Sequence, residues 1–183
     1  MNDNWHPQII KLPGNCLDTL TGHCRRKLEG EYLPGEDRDL KAFGLLAGQR
    51  QDDSAIVARC FPLLHNARQS AAYRDFMDRM MTEHAIPSVT PFAERGWVAD
   101  PEELTGILRG CREHGLVLLG SYHMHRIPWP QDPIRDTPTT LDTILGDKSR
   151  LLMFIVSMVD PSKPTIRAFA EGDVSREVPI HYI

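Results

Sequence analysis

Two histidines and a later aspartate are the residues of this sequence best suited to hold a catalytic metal ion. His123 and His125 follow a short apolar run at residues 115–119, which predicts a buried strand. Because side chains on a strand alternate between its two faces, both imidazole groups are expected to point the same way. A carboxylate from Asp142 could complete a set of three ligands. The fourth coordination position of a zinc ion would then stay open, as a catalytic zinc site requires.

The surroundings of Asp142 make this pattern more specific than a His-x-His pair alone. Asp142 ends the segment Pro-Thr-Thr-Leu-Asp at residues 138–142. Thr139 or Thr140 can cap a helix that runs to about Leu145, because a threonine hydroxyl accepts a hydrogen bond from the first free amide groups of a helix. The sequence therefore predicts a strand with two histidines and a helix start that carries the third ligand.

Size, composition and charge narrow the class of protein. The chain has 183 residues, of which 41% are hydrophobic and 25% charged, so one domain with a substantial core is expected. A formal net charge of -4 and a pI near 6.0 argue against a nucleic-acid partner. No apolar run approaches the roughly 20 residues that span a bilayer. Residues 1–6 lack the features of a signal peptide. We expect a cytoplasmic protein that contacts no membrane.

The cysteines do not form a recognisable metal or disulfide pattern. They are scattered, with no Cys-x-x-Cys pair, at Cys16, Cys24, Cys60 and Cys111. We expect them to be buried free thiols in a reducing compartment rather than ligands of a structural zinc ion.

Helical and strand patterns are mixed along the chain. Helices are predicted at residues 17–28, 69–84, 100–114 and 139–145. Strands are predicted at residues 42–48, 54–61, 115–125, 151–159, 164–170 and, as a last edge strand, 177–183. Residues 86–98 and 126–137 are expected to be loops rich in proline. This order predicts a single α/β domain over residues 1–183, with a curved mixed sheet flanked by helices and a metal-binding segment at 120–142.

Two further expectations concern side chains of the predicted helices. Tyr73, Phe76, Met77 and Met80 have helical spacing and are expected to pack in the core. His23 lies among three basic residues, and we expect it to be exposed to solvent.

Several segments, in this order, resemble the JAMM family of metallopeptidases, also called MPN or Mov34. Residues 44–48, Gly-Leu-Leu-Ala-Gly, resemble the family's Gly-Leu-Leu-x-Gly strand, and residues 62–66 resemble the exit of the next strand, which ends in Asn. Residues 115–125 resemble the Gly-x-Tyr-His-Ser-His segment, and residues 138–142 resemble the Pro-Ser-x-x-Asp of prokaryotic members. The similarity extends from the first helix to the strand near Phe169.

The resemblance implies a JAMM/MPN-type fold, a zinc ion and a hydrolytic reaction. His123, His125 and Asp142 would be the zinc ligands, and the hydroxyl group of Thr139 would help to stabilise the oxyanion. The bond cleaved would be a peptide or isopeptide bond, in a protein or peptide such as the C-terminal tail of a ubiquitin-like or sulfur-carrier protein. Cytidine deaminases have a related sheet, but their zinc is held by a Cys-x-x-Cys pair that this chain lacks.

The metal-binding segment departs from the family pattern in its loop. Met124 replaces the usual Ser, and Arg126 replaces the Pro that follows the second histidine. The loop before the helix is about six residues longer than usual, so the usual spacing would make Asp136 the third ligand. We favour Asp142, because it alone lies in a Pro-Thr-x-x-Asp context and at the expected distance before the next strand.

The catalytic base is the main departure. Family members have a glutamate three residues before the first glycine of the Gly-Leu-Leu strand, and this position is Lys41 here. A lysine would be repelled by a nearby divalent cation and is a poor substitute for a proton acceptor. Asp39 lies on the same side of an extended segment, roughly 7 Å away, and is the preferred candidate. Glu36 and Asp37 are alternatives, and all three could instead be solvated surface acids.

Three functions remain open from the sequence. The first is a zinc-dependent peptidase, with Trp129 in the proline-rich loop contacting the substrate tail. The second is a non-catalytic module that keeps the fold or the metal site, which Lys41 favours. The third is a zinc amidase for a small molecule. The oligomeric state stays open.

Overall fold

The computed structural model describes residues 5–183 and contains seven strands and four α-helices. Residues 1–4, on which the expectation about a signal peptide partly rests, lie outside the described residues. The strands are β1 (Ile9–Leu12), β2 (Phe43–Arg50), β3 (Ser54–Pro62), β4 (Val117–His125), β5 (Leu152–Ser157), β6 (Thr165–Ala170) and β7 (Ile180–Tyr182). The helices are α1 (Gly14–Glu29), α2 (Arg74–His84), α3 (Pro101–Glu113) and α4 (Thr140–Gly146), with short 3-10 turns at Ala67–Gln69 and Phe92–Glu94. Within residues 5–183, no helix combines the length and apolarity that crossing a membrane would need.

All seven strands form one mixed sheet in the order β6-β5-β4-β2-β3-β1-β7. β2 pairs antiparallel with both β3 and β4, while β4 pairs parallel with β5. The first strand, β1, was not predicted from the sequence; it pairs parallel with β3 and with the edge strand β7. The mixed α/β architecture predicted from the sequence is confirmed.

Helix α1 covers one face of the sheet. Leu20 and Cys24 are fully buried and pack in the main core with residues of the central strands, among them Tyr122 and Phe154. His23 also points inwards and is 3% exposed, so the expectation that it is solvated was wrong. Its Nδ1 atom lies 2.7 Å from the hydroxyl oxygen of Tyr122. This buried hydrogen bond fixes the helix against β4.

Helix α3 and the segment before it cover the other face. Asp100 caps α3: its side chain accepts hydrogen bonds from the main-chain amide groups of Glu102 and Glu103. Leu104 packs from this helix onto a second cluster around Phe43 of β2.

The predicted helix at residues 69–84 is confirmed only for its second part, because α2 begins at Arg74. Met77 and Met80 are buried as predicted, but Phe76 is 44% exposed, which is contrary to the core assignment. The four cysteines are free thiols, as expected. Cys16, Cys24 and Cys111 are also buried as expected, whereas Cys60 is only half-buried.

Candidate metal centre

The order of elements brings the end of β4 close to the start of α4. β4 and β5 are parallel neighbours, and α4 lies between them in the sequence. In such a β-α-β unit, the first strand ends on the side of the sheet where the helix begins. His125 is the last residue of β4, and Asp142 lies in the first turn of α4.

Alternation along β4 separates the residues that bind α1 from those of the candidate site. Tyr122 points to the α1 face, where it joins the main core. His123 and His125 point to the opposite face, and each is 8% exposed. Trp97 lies beside His123, with 6.4 Å between the ring centroids. The expectation that both imidazoles share a side is met.

Three ligand atoms converge at this point. His123 Nε2 lies 3.1 Å from His125 Nε2 and 3.4 Å from Asp142 Oδ1. All three ligand atoms lie within 4.8 Å of one another. In a tetrahedral site with zinc-ligand distances near 2.1 Å, ligand atoms are separated by about 3.4 Å. The two short separations are therefore close to what a zinc ion needs.

The hydrogen-bonding pattern of His125 favours metal binding. Its Nδ1 atom lies 2.9 Å from the main-chain carbonyl oxygen of Arg135. A carbonyl oxygen only accepts, so Nδ1 carries the proton and Nε2 presents a lone pair towards Asp142 and His123. Metal-binding histidines are commonly oriented in this way.

The protonation states at neutral pH also suit a cation. Burial lowers the pKa of His123, and burial together with the nearby His123 and Arg135 lowers the pKa of His125 to about 3. Burial disfavours the charged form of Asp142, but the neighbouring imidazoles and hydrogen bonds from Thr139 outweigh it and lower its pKa. The site thus offers two neutral imidazoles and one carboxylate, the forms that bind zinc.

Thr139 is the N-cap of α4 and forms a reciprocal capping box with Asp142. Its amide and hydroxyl groups both donate hydrogen bonds to Asp142 Oδ2, at 2.7 and 2.8 Å. The hydroxyl hydrogen, expected from the resemblance to reach an oxyanion, is directed at the ligand carboxylate in this structure. Thr139 therefore holds the carboxylate so that Oδ1 faces the histidines.

Asp136, the alternative third ligand, lies elsewhere. Its carboxylate accepts a hydrogen bond from Arg167 of β6 at 3.1 Å. Of the two aspartates, Asp142 is the one that the structure brings together with both histidines.

Asp39, the predicted base, is held by two lysines. Its carboxylate oxygens lie 3.3 Å from the ammonium group of Lys27 and 3.4 Å from that of Lys41. Lys41 also donates a hydrogen bond to the carbonyl oxygen of Gly96, and its side chain lines the same cavity as the metal-binding cluster. Lys41 therefore lines the cavity, whereas Asp39, which is paired with it, does not.

Glu36 and Asp37, the alternative bases, have structural partners. Glu36 is buried and forms ion pairs with Arg26 and Lys27, so its negative charge is balanced within the fold. Asp37 accepts a hydrogen bond from the main-chain amide group of Asn66 at 2.6 Å. Neither side chain lines the cavity.

The candidate metal-binding cluster of His123, His125 and Asp142 opens into a cavity of about 550 Å³. This volume lies in the range of pockets that hold small ligands or short chain segments. Its walls are mainly apolar and include Phe76 and Met77 of α2, Trp97 and Leu141. Trp129 of the proline-rich loop also lines it.

Four charged residues of the cavity were not singled out in the sequence, namely Glu94, Arg95, Arg135 and Glu171. Glu94, from the segment before α3, lines the cavity and is exposed. Arg135 lines it too and is 7% exposed; burial lowers its pKa to about 10, so it is charged at neutral pH. Glu94 ends the short 3-10 turn and Arg135 lies in an irregular loop, and neither segment has a periodic pattern that marks the direction of a side chain.

Comparison with solved structures finds a protein with a similar fold. No family model matches the sequence, and no curated protein matches it. Among solved structures, the chain is similar to the solution structure of protein DSY2949 from Desulfitobacterium hafniense, with a TM-score of 0.62 and 24% sequence identity. The similarity covers 95% of this chain and 92% of that chain. At this level of identity the likeness shows a shared fold, and function is argued from the site.

Proposed function

We propose that the protein is a zinc-dependent hydrolase of the JAMM/MPN type that cleaves a peptide or isopeptide bond. The proposed substrate is a protein or peptide chain, such as the C-terminal tail of a ubiquitin-like or sulfur-carrier protein. The observation that carries the proposal is the convergence of His123, His125 and Asp142 on one point at the wall of a cavity.

The donor set supports zinc in particular. Two imidazole nitrogens and one carboxylate oxygen suit zinc and leave one of its four positions for water or substrate. A zinc ion held there would lower the pKa of water and polarise a substrate carbonyl group.

The protein's own residues would orient the zinc ligands and exclude water from the site. Thr139 holds the Asp142 carboxylate, and the carbonyl group of Arg135 fixes the ring of His125. The apolar walls around Trp97 and Leu141 would exclude bulk water from the reacting bond, which strengthens electrostatic interactions.

Two acids are candidates for the base that takes a proton from water and passes it to the leaving amine. Asp39 is the base predicted from the sequence, but both of its carboxylate oxygens face lysines. Glu94 lines the cavity, and its carboxylate has no ion pair or hydrogen bond within residues 5–183. We therefore favour Glu94, because it lines the cavity and is not neutralised by a neighbouring lysine. A proton acceptor must reach the reacting proton directly or through one water molecule.

The proposal is tested with the purified, zinc-loaded protein and a panel of ubiquitin-like and sulfur-carrier proteins that carry a C-terminal extension. We expect cleavage of at least one tail, detected by mass spectrometry, and its loss when zinc is chelated. The matched control is His123→Ala, which removes one ligand. If a fully zinc-loaded sample leaves every tail intact, the peptidase proposal fails.

Lys41 favours a second candidate, a binding module that no longer catalyses. Lys41 lines the cavity, and its place in the sequence is the one at which the resembling family has its base. In that case the zinc-loaded protein would bind a tail without cleaving it, and Lys41→Glu would be the variant that gains activity. A small-molecule amidase is the third candidate, and the mainly apolar cavity lined in part by the proline-rich loop is what supports it.

A further inference from the structure

Arg135 occupies a fixed position next to the metal-binding cluster. Its backbone is in the left-handed region, with φ of 57°, and its amide group donates a hydrogen bond to Asp132 Oδ1 at 2.7 Å. Its carbonyl oxygen is the partner of His125 Nδ1. A non-glycine residue in this conformation needs surrounding contacts to hold it.

The side chain of Arg135 is buried but lacks a complete set of partners. The guanidinium carbon lies 3.2 Å from the centroid of the Trp129 ring, so the cation stacks on the indole. Its Nε and Nη1 atoms are buried and have no hydrogen-bond partner among residues 5–183. A buried charged donor without a partner is costly, so such a group in a cavity wall points to a ligand that pairs with it.

The nearby protein carboxylates are already engaged. Asp132 accepts hydrogen bonds from the Arg135 amide group and, through Oδ2, from Thr137. Asp142 accepts from Thr139 and faces His123. Within residues 5–183, Asp132 and Asp142 lie near enough to favour the charged form of Arg135, but no carboxylate accepts a hydrogen bond from its buried Nε and Nη1 atoms. A partner for these two donors therefore has to come from outside the chain.

The other residues of the cavity indicate the chemical character of the rest of that ligand. Lys41, Arg95 and Arg126 add positive charge to the lining, and Glu94 and Glu171 add negative charge. Apolar side chains dominate the rest of the walls. A planar guanidinium group binds a carboxylate through two parallel hydrogen bonds. The matching ligand is therefore an apolar or uncharged chain that carries a carboxylate.

We propose that Arg135 binds a carboxylate group of the substrate, so that the bond cleaved lies close to a negatively charged group such as a free chain end. This inference rests on the proposed function for the identity of the reaction, but the binding itself does not need zinc. Arg135 is thus a substrate-binding residue, and its carbonyl group separately positions His125.

The test compares two ligands that differ in one group: N-acetyl-phenylalanine, a free acid, and its uncharged amide. Binding is measured by calorimetry and by tryptophan fluorescence, to which Trp97 and Trp129 of the cavity contribute. The protein is metal-free and a chelator is present, so that a carboxylate cannot bind through zinc. We expect the acid to bind about 10- to 100-fold more tightly than the amide, as for a hydrogen bond to a charged group. Equal binding of the two ligands to the wild-type protein would overturn the proposal, and this result needs no variant.

Substitutions test whether Arg135 causes the preference for the free acid. Arg135→Met should abolish the preference for the acid, and Arg135→Lys should keep a part of it. Arg112→Met, an exposed residue of α3, is the matched control and should leave the preference unchanged. A preference that persists in a folded Arg135→Met protein, as judged by circular dichroism, would contradict the assignment.

A third ligand separates the two sources of a carboxylate. N-acetyl-aspartyl amide has a blocked end and a carboxylate in its side chain. Tighter binding of this ligand than of the free acid would assign the site to an acidic side chain, and weaker binding would assign it to a chain end. Failure of the zinc-dependent cleavage leaves these binding results intact, so the two proposals fail separately.

Discussion

The hydroxyl group of Thr139 donates a hydrogen bond to Oδ2 of Asp142 at 2.8 Å, while Oδ1 of the same carboxylate lies 3.4 Å from His123 Nε2. One oxygen is thus used to fix the helix start and the other faces the histidines. The cap of α4 and the geometry of the proposed metal site are consequently one structural unit.

Removal of this hydroxyl group should weaken metal binding. We expect Thr139→Val to lower zinc affinity by about 10- to 100-fold, as for other residues that orient metal ligands, and to reduce stability by about 1 kcal/mol through loss of the cap. Thr139→Ser keeps the hydroxyl group and should preserve both. Competition titration with a zinc-binding dye measures the affinity. Unchanged affinity with a reduced turnover would instead assign Thr139 to the oxyanion.

The base can be identified with two conservative variants. We expect Glu94→Gln to lower kcat by about 10²- to 10⁴-fold at unchanged zinc content, which is the usual contribution of a general base. Asp39→Asn should have a smaller effect, because Asp39 faces Lys27 and Lys41. A large loss in Asp39→Asn alone would reverse this assignment and support the base predicted from the sequence.

Lys41 gives a gain-of-function test. Lys41→Glu places a carboxylate where the resembling family has its base and removes a cation from the cavity wall, so it should increase both zinc affinity and turnover. Lys41→Met, which removes the charge without adding a base, is the control. If the two variants have the same turnover, the position does not take part in proton transfer.

His23 should make the protein less stable in mild acid. Burial, with a contribution from Arg26, lowers the pKa of His23 to about 4, whereas the unfolded chain titrates near 6.5. Between these values the unfolded state binds the extra proton, so the free energy of unfolding falls by about 3 kcal/mol as the pH drops from 6.5 to 4. In His23→Gln this part of the pH dependence should be missing from urea titrations of metal-free protein. The same slope in both proteins would exclude His23 as the cause.

Close contact between β4 and β5 should make Gly120 intolerant of a side chain. A Cβ atom at Gly120 would collide with the carbonyl group of Leu152 on the neighbouring strand, and backbone cannot move aside easily. We expect Gly120→Ala to cost about 1–3 kcal/mol in thermal or urea unfolding. In contrast, a Cβ at Gly110 of α3 meets nothing within 4 Å, so Gly110→Ala should be neutral or stabilising. A neutral Gly120→Ala would contradict this strand contact.

Regular patterns in the sequence were enough to predict most of the elements. The apolar run that leads into His123 and the threonine before Asp142 are local signals, and they correspond to β4 and to the cap of α4. β1 was missed because it has only four residues and pairs with strands far along the chain. Its existence depends on tertiary contacts that local propensity does not reveal.

The candidate site was predictable where it lies on regular elements and not where it lies on loops. Alternation on a strand determines the direction of His123 and His125, whereas the direction of Arg135 depends on the whole course of the proline-rich loop. His23 was assigned to solvent because its neighbours in sequence are basic, but helix geometry turns it towards Tyr122.

The central claim is that His123, His125 and Asp142 bind one zinc ion together. The most direct test is anomalous diffraction at the zinc edge from crystals of the zinc-loaded protein. The account predicts one strong peak about 2.0–2.2 Å from His123 Nε2, His125 Nε2 and Asp142 Oδ1, the usual zinc-ligand distances. Fully zinc-treated crystals with no peak between these three side chains, or with the ion bound at Asp136 instead, would contradict it.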